Sequence, residues 1–423
     1  MSLLQKLSEL GRDLFHWGKT PRARVFIFYS ANSDMIIEHI LKDTDYCILD
    51  VRTRPHPIDA RVAFGLVVHL IARGVRHLSR HGPSGIIRSV LGDLEEHYYF
   101  VLIKVAKPRV AITFMDNSVL FNSLALRCLK TKFIALQNGM RNTVSAGEMA
   151  EGLMRRNAEA TIVAGYFLGQ QSIDLMTEAG IRVVDPKIIG SLKTGIYQQQ
   201  RSTRPTDHDI CLVSHWKKQF YIESSDPEWI RYNENHSSAI VRLNEFLKCY
   251  MDETGATMCI AMRYSNVQNE EADFYNEVFG KSVTLLDQDS SSLASYGALE
   301  HGDVCIGMYS TLVYEAMALG HKALITNLVP GPILDPPSHG LWSLENPTYE
   351  DFRHRLDEIR AMDASEYARK TGEFIDYVIA NDPANPPHLV VREEVLSLLS
   401  DRGFRPGSDG VDSRQTRLTT IKS

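Results

Sequence analysis

The sequence has little that would mark a secreted, metal-binding or nucleic-acid-binding protein. Its six cysteines include no CxxC pair and most lie in apolar runs, which favours buried thiols over a disulfide framework or a zinc site. The net charge of -6 argues against nucleic acid as the main partner. No apolar stretch is long enough to span a bilayer, and no cleavable signal peptide opens the sequence. We therefore expect a cytoplasmic protein.

Apolar runs and helical patterns alternate along the chain, which predicts an α/β protein with doubly wound, Rossmann-like parallel sheets. The length of 423 residues exceeds the usual size of a single core and indicates two domains, which a polar linker near residues 198–208 separates. The predicted units are residues 24–197 for an N-terminal Rossmann-like domain, 209–385 for a C-terminal Rossmann-like domain, and 386–423 for a C-terminal helix with a disordered tail.

Residues 1–20 form a further predicted unit. Leucine and aromatic residues recur there at helical spacing, with Lys6, Arg12 and Lys19 between them, which predicts an amphipathic helix. Two interpretations of this helix are open. It packs on its own domain or on a second subunit, which is the commoner use of such a pattern, or it lies on an anionic inner-membrane surface as a peripheral anchor.

The stretch from residue 307 to residue 325 predicts a strand end, a hydroxyl-bearing turn, a short helix and a second strand. Ser310 and Thr311 fall where the helix begins, so their hydroxyls are placed to cap free backbone N–H groups at an end that attracts anions. Glu315 lies one turn further along, on the same face as Thr311. A phosphate at the helix start and a ribose near the carboxylate would use these groups, which indicates a nucleotide-sugar site.

Two strand ends of the first predicted sheet carry six candidate acceptor-side residues, namely Asp116 and Asn117 after residues 110–114, and Gln137, Asn138, Gly139 and Arg141 after residues 133–136. Ligands of doubly wound sheets collect at the carboxyl ends of strands, so we expect an acceptor there, with Asp116 as the catalytic base. The structural alternative is that Asp116 caps a helix and that Asn138 and Gly139 form a turn.

Hydroxyl and cationic side chains follow two strands of the second predicted sheet. Ser214 and Lys218 come after the strand at residues 210–213, and Arg263 comes directly after the strand at residues 258–262. Cations at this edge would hold a nucleotide phosphate or a sugar carboxylate. A solvated turn is the alternative for Lys218, whereas an arginine at the end of a long apolar strand favours a bound partner.

Three elements resemble a known family: Gln137-Asn138-Gly139-Met140-Arg141, the stretch from Ser310 to Ala316, and Ser338-His339-Gly340-Leu341-Trp342. Together they are similar to bacterial surface carbohydrate biosynthesis proteins, which resemble GT-B glycosyltransferases of capsule and lipopolysaccharide assembly. The resemblance covers roughly residues 24–383. It implies two Rossmann-like domains facing a cleft, with the acceptor on the first domain and donor contacts from Ser310, Thr311 and Glu315 on the second. Related capsule enzymes often carry a histidine where this chain has Asn138, which puts a histidine base at this position in doubt.

These observations predict a glycosyltransferase that moves a sugar from a nucleotide-sugar donor to a surface polysaccharide or glycolipid acceptor. GT-B enzymes generally need no bound metal and the sequence has no convincing DxD-like motif, so we expect no cofactor, and dipole, hydroxyl and cationic contacts would neutralise the leaving phosphate. A CMP-linked acidic sugar and a UDP-sugar are both open as donors. The alternatives are a nucleotide-sugar epimerase of the same fold, which needs no acceptor, and a non-catalytic scaffold, which binds nucleotides weakly or not at all.

Overall fold

The structure is a computed structural model, and it describes residues 13–400 except residues 92, 158, 202–205, 222–224, 264–269, 287–292 and 332–333; for residues 76–91 it describes the backbone alone. Two six-stranded sheets, each with parallel pairing throughout, form the centres of two domains. The predicted α/β fold with two Rossmann-like domains is therefore confirmed.

The described part of the first domain contains ten short strands: β1 Phe15–Trp17, β2 Val25–Phe28, β3 Tyr46–Leu49, β4 His56–Ile58, β5 Val110–Thr113, β6 Lys132–Leu136, β7 Thr161–Ile162, β8 Gly165–Phe167, β9 Arg182–Val183 and β10 Lys187–Ile188. Its large sheet has the order β10-β8-β6-β5-β2-β3. Alternate residues of β2 enter two separate cores, with Phe26 and Phe28 in one and Val25 and Ile27 in the other. A strand covered on both faces reads as a continuous apolar run, as Val25–Phe28 does in this sequence.

Among its described residues the second domain has six strands: β11 His208–Val213, β12 Met258–Ala261, β13 Val283–Leu286, β14 Gly302–Gly307, β15 Lys322–Asn327 and β16 Ser343–Glu345. They form a sheet with the order β13-β12-β11-β14-β15-β16. Cys211, Cys259 and Cys305 lie opposite one another on its three adjacent strands β11, β12 and β14, buried as free thiols. These cysteines serve as small apolar residues of the core.

Helices pack on both faces of each sheet. In the first half of the chain they are Ser33–Met35 continuing into the π-helix Ile36–Ile40, then Ala60–Leu91, Leu94–Ala106, Val119–Arg127, Thr143–Asn157, Gln170–Glu178 and Leu192–Gln200. In the second half they are the 3₁₀-helix Lys218–Tyr221, then Pro227–Thr254, Glu270–Phe279, Ala294–Leu299, Thr311–Ala318, Tyr349–Ala361, Ala364–Val378 and Pro387–Ser400. None of the helices in the described part of the chain is long and apolar enough to cross a membrane.

The helix predicted over residues 1–20 is wrong from Phe15 onward, although Asp13 and Leu14 are helical. Phe15–Trp17 is a strand that pairs in parallel with His56–Ile58, and Leu14 just before it is buried. The Thr20 hydroxyl donates a hydrogen bond to Asp59, which fixes the far end of the segment to the same domain. The leucine spacing misled the prediction because a short strand leaves little periodic signal of its own. The rest of the predicted helix, residues 1–12, lies outside the described residues.

The last described helix, Pro387–Ser400, belongs to the first domain and not to a separate C-terminal unit. Val391 and Val395 are fully buried in the core that Val25 and Ile27 also enter. At its end, Arg109 donates a hydrogen bond to the carbonyl of Leu398 at 2.9 Å. The chain thus crosses to the second domain after Leu192–Gln200 and returns to the first one at its end.

Candidate functional site

Each large sheet has one point where the strand order reverses, and both points lie at loops that carry polar residues. In the first sheet the reversal falls between β2 and β5, and in the second between β11 and β14. Open α/β sheets bind ligands in the crevice outside the carboxyl ends of such strands. The candidate site is therefore built from the loops that follow these four strands and from Gln137–Arg141 after the neighbouring β6.

The loops of the first sheet bring Asp116, Asn138 and Arg141 together, as the sequence pattern suggested. Arg141 Nε donates to Asp116 Oδ2 at 3.2 Å, and Arg141 Nη2 donates both to Asp116 Oδ1 and, at 2.8 Å, to Asn138 Oδ1. Asp116 is only 4% exposed. Its carboxylate is thus held in a bidentate ion pair, which orients the guanidinium and restricts access to the carboxylate.

Asp116 does not cap the helix that follows it. The cap of Val119–Arg127 is Ser118, whose hydroxyl oxygen accepts a hydrogen bond from the backbone N–H of Phe121 at 3.2 Å. The Ser118 hydroxyl also lies 2.7 Å from the hydroxyl of Tyr29, the residue directly after β2. Tyr29 has a φ of 69°, a left-handed conformation that costs a non-glycine residue energy and is concentrated at functional sites. The sequence did not single out Tyr29, since backbone strain leaves no local pattern.

The other acceptor-side residues divide into buried supports and exposed groups. Gln137 is buried, where its Nε2 donates to the Gly139 carbonyl at 2.9 Å and its Oε1 accepts from the Leu168 N–H at 3.0 Å. Gln137 therefore shapes the loop from within. Asn117 and Asn138 are exposed at the edge of the sheet, where a ligand has access to them.

The two motifs that the sequence placed in different domains touch each other. The backbone N–H of Met140 in the first domain donates to Thr311 Oγ1 in the second at 2.9 Å. A Cβ atom added to Gly139 would lie 3.0 Å from the same oxygen, so the loop approaches the helix start closely. Ser310 caps this helix, Thr311–Ala318, by accepting from the Leu312 N–H at 3.3 Å. The loop of the first domain thus lies directly against the start of the helix predicted to receive a phosphate.

Glu315 lies in a buried contact between the domains. The Ser191 hydroxyl of the first domain donates to Glu315 Oε1 at 2.5 Å. Burial raises the pKa of the Glu315 carboxyl, and the hydrogen bond from Ser191 partly offsets that effect. A ribose would have to replace Ser191 as the partner of this carboxyl. The geometry therefore gives Glu315 a role in joining the domains.

Ser214 belongs to a buried network that supports the loop after β11. Its hydroxyl donates to Glu271 Oε1 and accepts from the Tyr275 hydroxyl, which lies 2.9 Å away. The Glu271 carboxylate also accepts from the backbone N–H of Arg263 at 2.9 Å. The network fixes the loops after β11 and β12 relative to each other, and it leaves the Arg263 side chain exposed at the edge of the sheet.

Lys217, and not the predicted Lys218, lies at the reversal point of the second sheet. Lys218 is exposed and its Nζ forms an ion pair with Glu270 Oε1 at 2.6 Å. Lys217 Nζ lies 5.1 Å from the ring centre of Phe220 and 6.0 Å from that of Tyr309. Burial, aided by the charge of Arg263, lowers the pKa of Lys217 to about 8. Two adjacent lysines look alike in a sequence, so only the fold distinguishes them.

His215 positions the loop after β14. Its Nε2 accepts a hydrogen bond from the Met308 N–H at 2.7 Å. Burial lowers the pKa of His215 to about 3, so the ring is neutral and its proton lies on Nδ1. Within the described part of the chain, no three His, Cys, Asp or Glu side chains are grouped in a way that would hold a metal ion.

Two doubly wound domains that touch at their carboxyl edges define the architecture of GT-B proteins. Residues 134–332 match the model of a family described as "putative O-antigen biosynthesis protein", a range that includes both the loop Gln137–Arg141 and the helix Thr311–Ala318. The resemblance to GT-B proteins of surface carbohydrate biosynthesis is therefore confirmed. A sequence search among curated proteins finds no match.

Solved structures with a similar fold include nucleotide-sugar enzymes. The UDP-GlcNAc 2-epimerase from Neisseria meningitidis bound to UDP-GlcNAc is 12% identical, with 88% of this chain and 99% of that chain covered and a TM-score of 0.47. HepE from Anabaena in complex with UDP and glucose is 11% identical, with 90% of this chain and 100% of that chain covered and a TM-score of 0.43. The wall teichoic acid polymerase TagF is 8% identical, with 90% of this chain and 91% of that chain covered and a TM-score of 0.44.

Proposed function

We propose that the protein is a metal-independent glycosyltransferase of surface polysaccharide assembly, which transfers a sugar from a nucleotide-sugar donor to a glycan or glycolipid acceptor. The observation that carries the proposal is the 2.9 Å hydrogen bond from the Met140 N–H to Thr311 Oγ1. Transfer requires two substrates at one place, and this contact joins a polar loop of one domain to the capped helix start of the other.

The donor phosphates lie, in this proposal, between the start of the helix Thr311–Ala318 and the cations Lys217 and Arg263. The helix dipole favours an anion at this helix start, and the hydroxyl of the capping residue Ser310 lies beside it. As the glycosidic bond to the nucleotide breaks, negative charge grows on the leaving phosphate. Fixed dipoles and cations that face this charge lower the barrier, because they need no reorganisation during the reaction.

The acceptor hydroxyl lies near Asp116, Asn117, Asn138 and Arg141 in this proposal, and a base must remove its proton as the new bond forms. Asp116 is our candidate, either directly or after Arg141 shifts onto the substrate and frees a carboxylate oxygen. A glycolipid acceptor would place the reaction at the cytoplasmic face of the inner membrane.

A thermal-shift screen of the full chain against CMP-, CDP-, UDP- and GDP-sugars tests the donor site and its preference. A ligand at about 100 times its dissociation constant stabilises a protein by roughly 2.7 kcal/mol, which is easily measured. A CMP-linked acidic sugar and a UDP-sugar are the two donors we compare first. Stabilisation by none of the nucleotide sugars would favour the non-catalytic scaffold.

The stabilising nucleotide sugar is then incubated with the enzyme, with and without a membrane glycolipid extract. A transferase forms product only when the acceptor is present. An epimerase converts the nucleotide sugar alone, and that outcome would contradict the proposal while leaving the donor site intact.

A further inference from the structure

One face of the long helix Ala60–Leu91 is apolar and exposed over residues 60–75, where its side chains are described. Phe64 is 73% exposed and Ile71 is 62% exposed, and three valines on the same face are also exposed: Val67, Val68 and Val75. Their spacing of three and four residues puts all five in one stripe along the helix. Trp17, itself 73% exposed, pairs in β1 with Ile58, two residues before the helix begins.

This stripe takes no part in the core of the domain. Val62 and Leu66 form the buried side of the helix, where they join the core that contains the helix Leu94–Ala106. A continuous row of exposed apolar side chains on an otherwise well-packed domain marks a surface for another partner.

The charges of the helix identify the kind of partner. Its 32 residues include five arginines and neither aspartate nor glutamate, although the whole chain has a net charge of -6. In a symmetric contact between two copies, this arginine-rich helix would face its own equivalent and like charges would oppose each other. Anionic lipid headgroups, in contrast, attract arginine, and the apolar stripe fits the boundary between headgroups and acyl chains.

The direction of the helix relates this surface to the cleft. Gly65 lies against Val101, and His69 Nε2 lies 3.2 Å from His97 Nδ1, so the helix runs antiparallel to Leu94–Ala106. The latter helix leads into the start of β5, and the long helix therefore runs toward the carboxyl edge of the sheet. At 1.5 Å per residue its 32 residues extend about 48 Å, against about 20 Å for the 13 residues of its partner.

We propose that the face of Phe64, Val67, Val68, Ile71 and Val75, with Trp17, docks the protein on an anionic lipid bilayer. The helix lies in the plane of the interface with its apolar stripe below the headgroups, and the net positive charge of its sequence favours an anionic surface. The helix runs toward the carboxyl edge of the first sheet. Docking through this helix would therefore hold that edge, and with it the proposed acceptor site, next to the membrane surface.

The test compares full-length variants by co-sedimentation with vesicles of phosphatidylglycerol and phosphatidylcholine. Phe64→Gln with Ile71→Gln should lower the partition coefficient at least about tenfold, because two apolar anchors are removed from the lipid boundary. The matched control is Leu129→Gln with Val241→Gln, at positions that are 86% and 44% exposed but lie off the stripe. The control should bind like the wild type, and salt should weaken binding of both proteins.

Several outcomes would overturn the proposal. One is wild-type protein that fails to sediment with anionic vesicles at low salt, and another is a stripe variant that binds as well as the control. A dimer in sedimentation velocity that only the stripe variant dissociates would assign the face to a second copy. The same comparison in a chain without residues 1–12 separates this face from the terminal leucines, since binding lost with that deletion alone would assign the anchor there. Vesicle binding is measured without donor, so its failure leaves the transfer proposal untouched.

Discussion

The ion pair between Asp116 and Arg141 admits two catalytic roles at the scale of single residues. In the first role the carboxylate itself takes the proton of the acceptor. In the second it holds Arg141, which then binds the acceptor or the departing phosphate. The bidentate geometry and the 4% exposure of Asp116 give the second role a clear physical basis.

A double-mutant cycle separates these roles. If Asp116 is the base, Asp116→Asn should lower turnover by on the order of 10²–10⁴-fold in the wild type and also in Arg141→Gln, with donor affinity unchanged. If Asp116 acts through Arg141, the second substitution should add little to the first. Turnover at varied acceptor concentration, with thermal shift for the donor, provides the measurement. Near wild-type transfer by both single variants would exclude both roles.

Lys217 leads to a prediction with a matched neighbour as its control. Its pKa of about 8 means that it is charged at pH 7 and mostly neutral at pH 9, so affinity for a donor phosphate should fall as the pH rises between these values. Lys217→Gln should weaken donor binding about tenfold at pH 7, the loss of one charged hydrogen bond, and should remove this pH dependence. Lys218→Gln should change neither, because Lys218 is exposed. If Lys217→Gln and Lys218→Gln change donor affinity equally in a binding titration, the assignment of Lys217 to the donor phosphate would be contradicted.

At the scale of elements, the sequence located the central strands because each is a continuous apolar run. It missed Leu94–Ala106, in which buried aromatic and aliphatic residues leave no clear polar stripe, and it missed Thr143–Asn157, in which polar and small residues mask the apolar side. The sequence also could not predict the contact of the loop Gln137–Arg141 with Thr311. That contact joins residues 171 positions apart, and each partner has an ordinary local explanation as a turn or a helix cap.

The contact itself is testable at Thr311. Thr311→Val keeps the shape of the side chain and removes the acceptor for the Met140 N–H, whereas Thr311→Ser keeps the hydroxyl. A hydrogen bond of this kind contributes about 0.5–1.5 kcal/mol, so the valine variant should lose roughly two- to tenfold in kcat/KM while the serine variant stays close to the wild type. Steady-state transfer assays measure both. A serine variant as impaired as the valine variant would show that the hydroxyl is not what matters.

At the scale of the whole molecule, the length and the polar linker were enough to indicate two domains, but the order of the chain through them was not predictable. The helix Pro387–Ser400 has the same amphipathic character wherever it packs. Only the completed first core, which Val391 and Val395 enter, determines that it returns to the first domain.

This return predicts how the molecule loses stability. Val391→Ala with Val395→Ala removes four methyl groups from a closed core and should lower the free energy of unfolding by about 3 kcal/mol. Leu389→Ala with Leu396→Ala, at exposed positions of the same helix, should stay within about 0.5 kcal/mol. Urea unfolding measures both variants. A similar loss of unfolding free energy in the exposed pair would contradict the packing of this helix against the first core through Val391 and Val395.

The same return has a consequence for the synthesis of the protein. The first domain emerges first, yet its core stays open on one side until the ribosome has added the roughly 200 residues that separate Leu192–Gln200 from the final helix. At about 5–20 residues per second this delay lasts about 10–40 s. Chaperones therefore meet an unfinished first domain for that time, while the second domain, whose strands are contiguous in the chain, closes its own sheet before the first domain is complete.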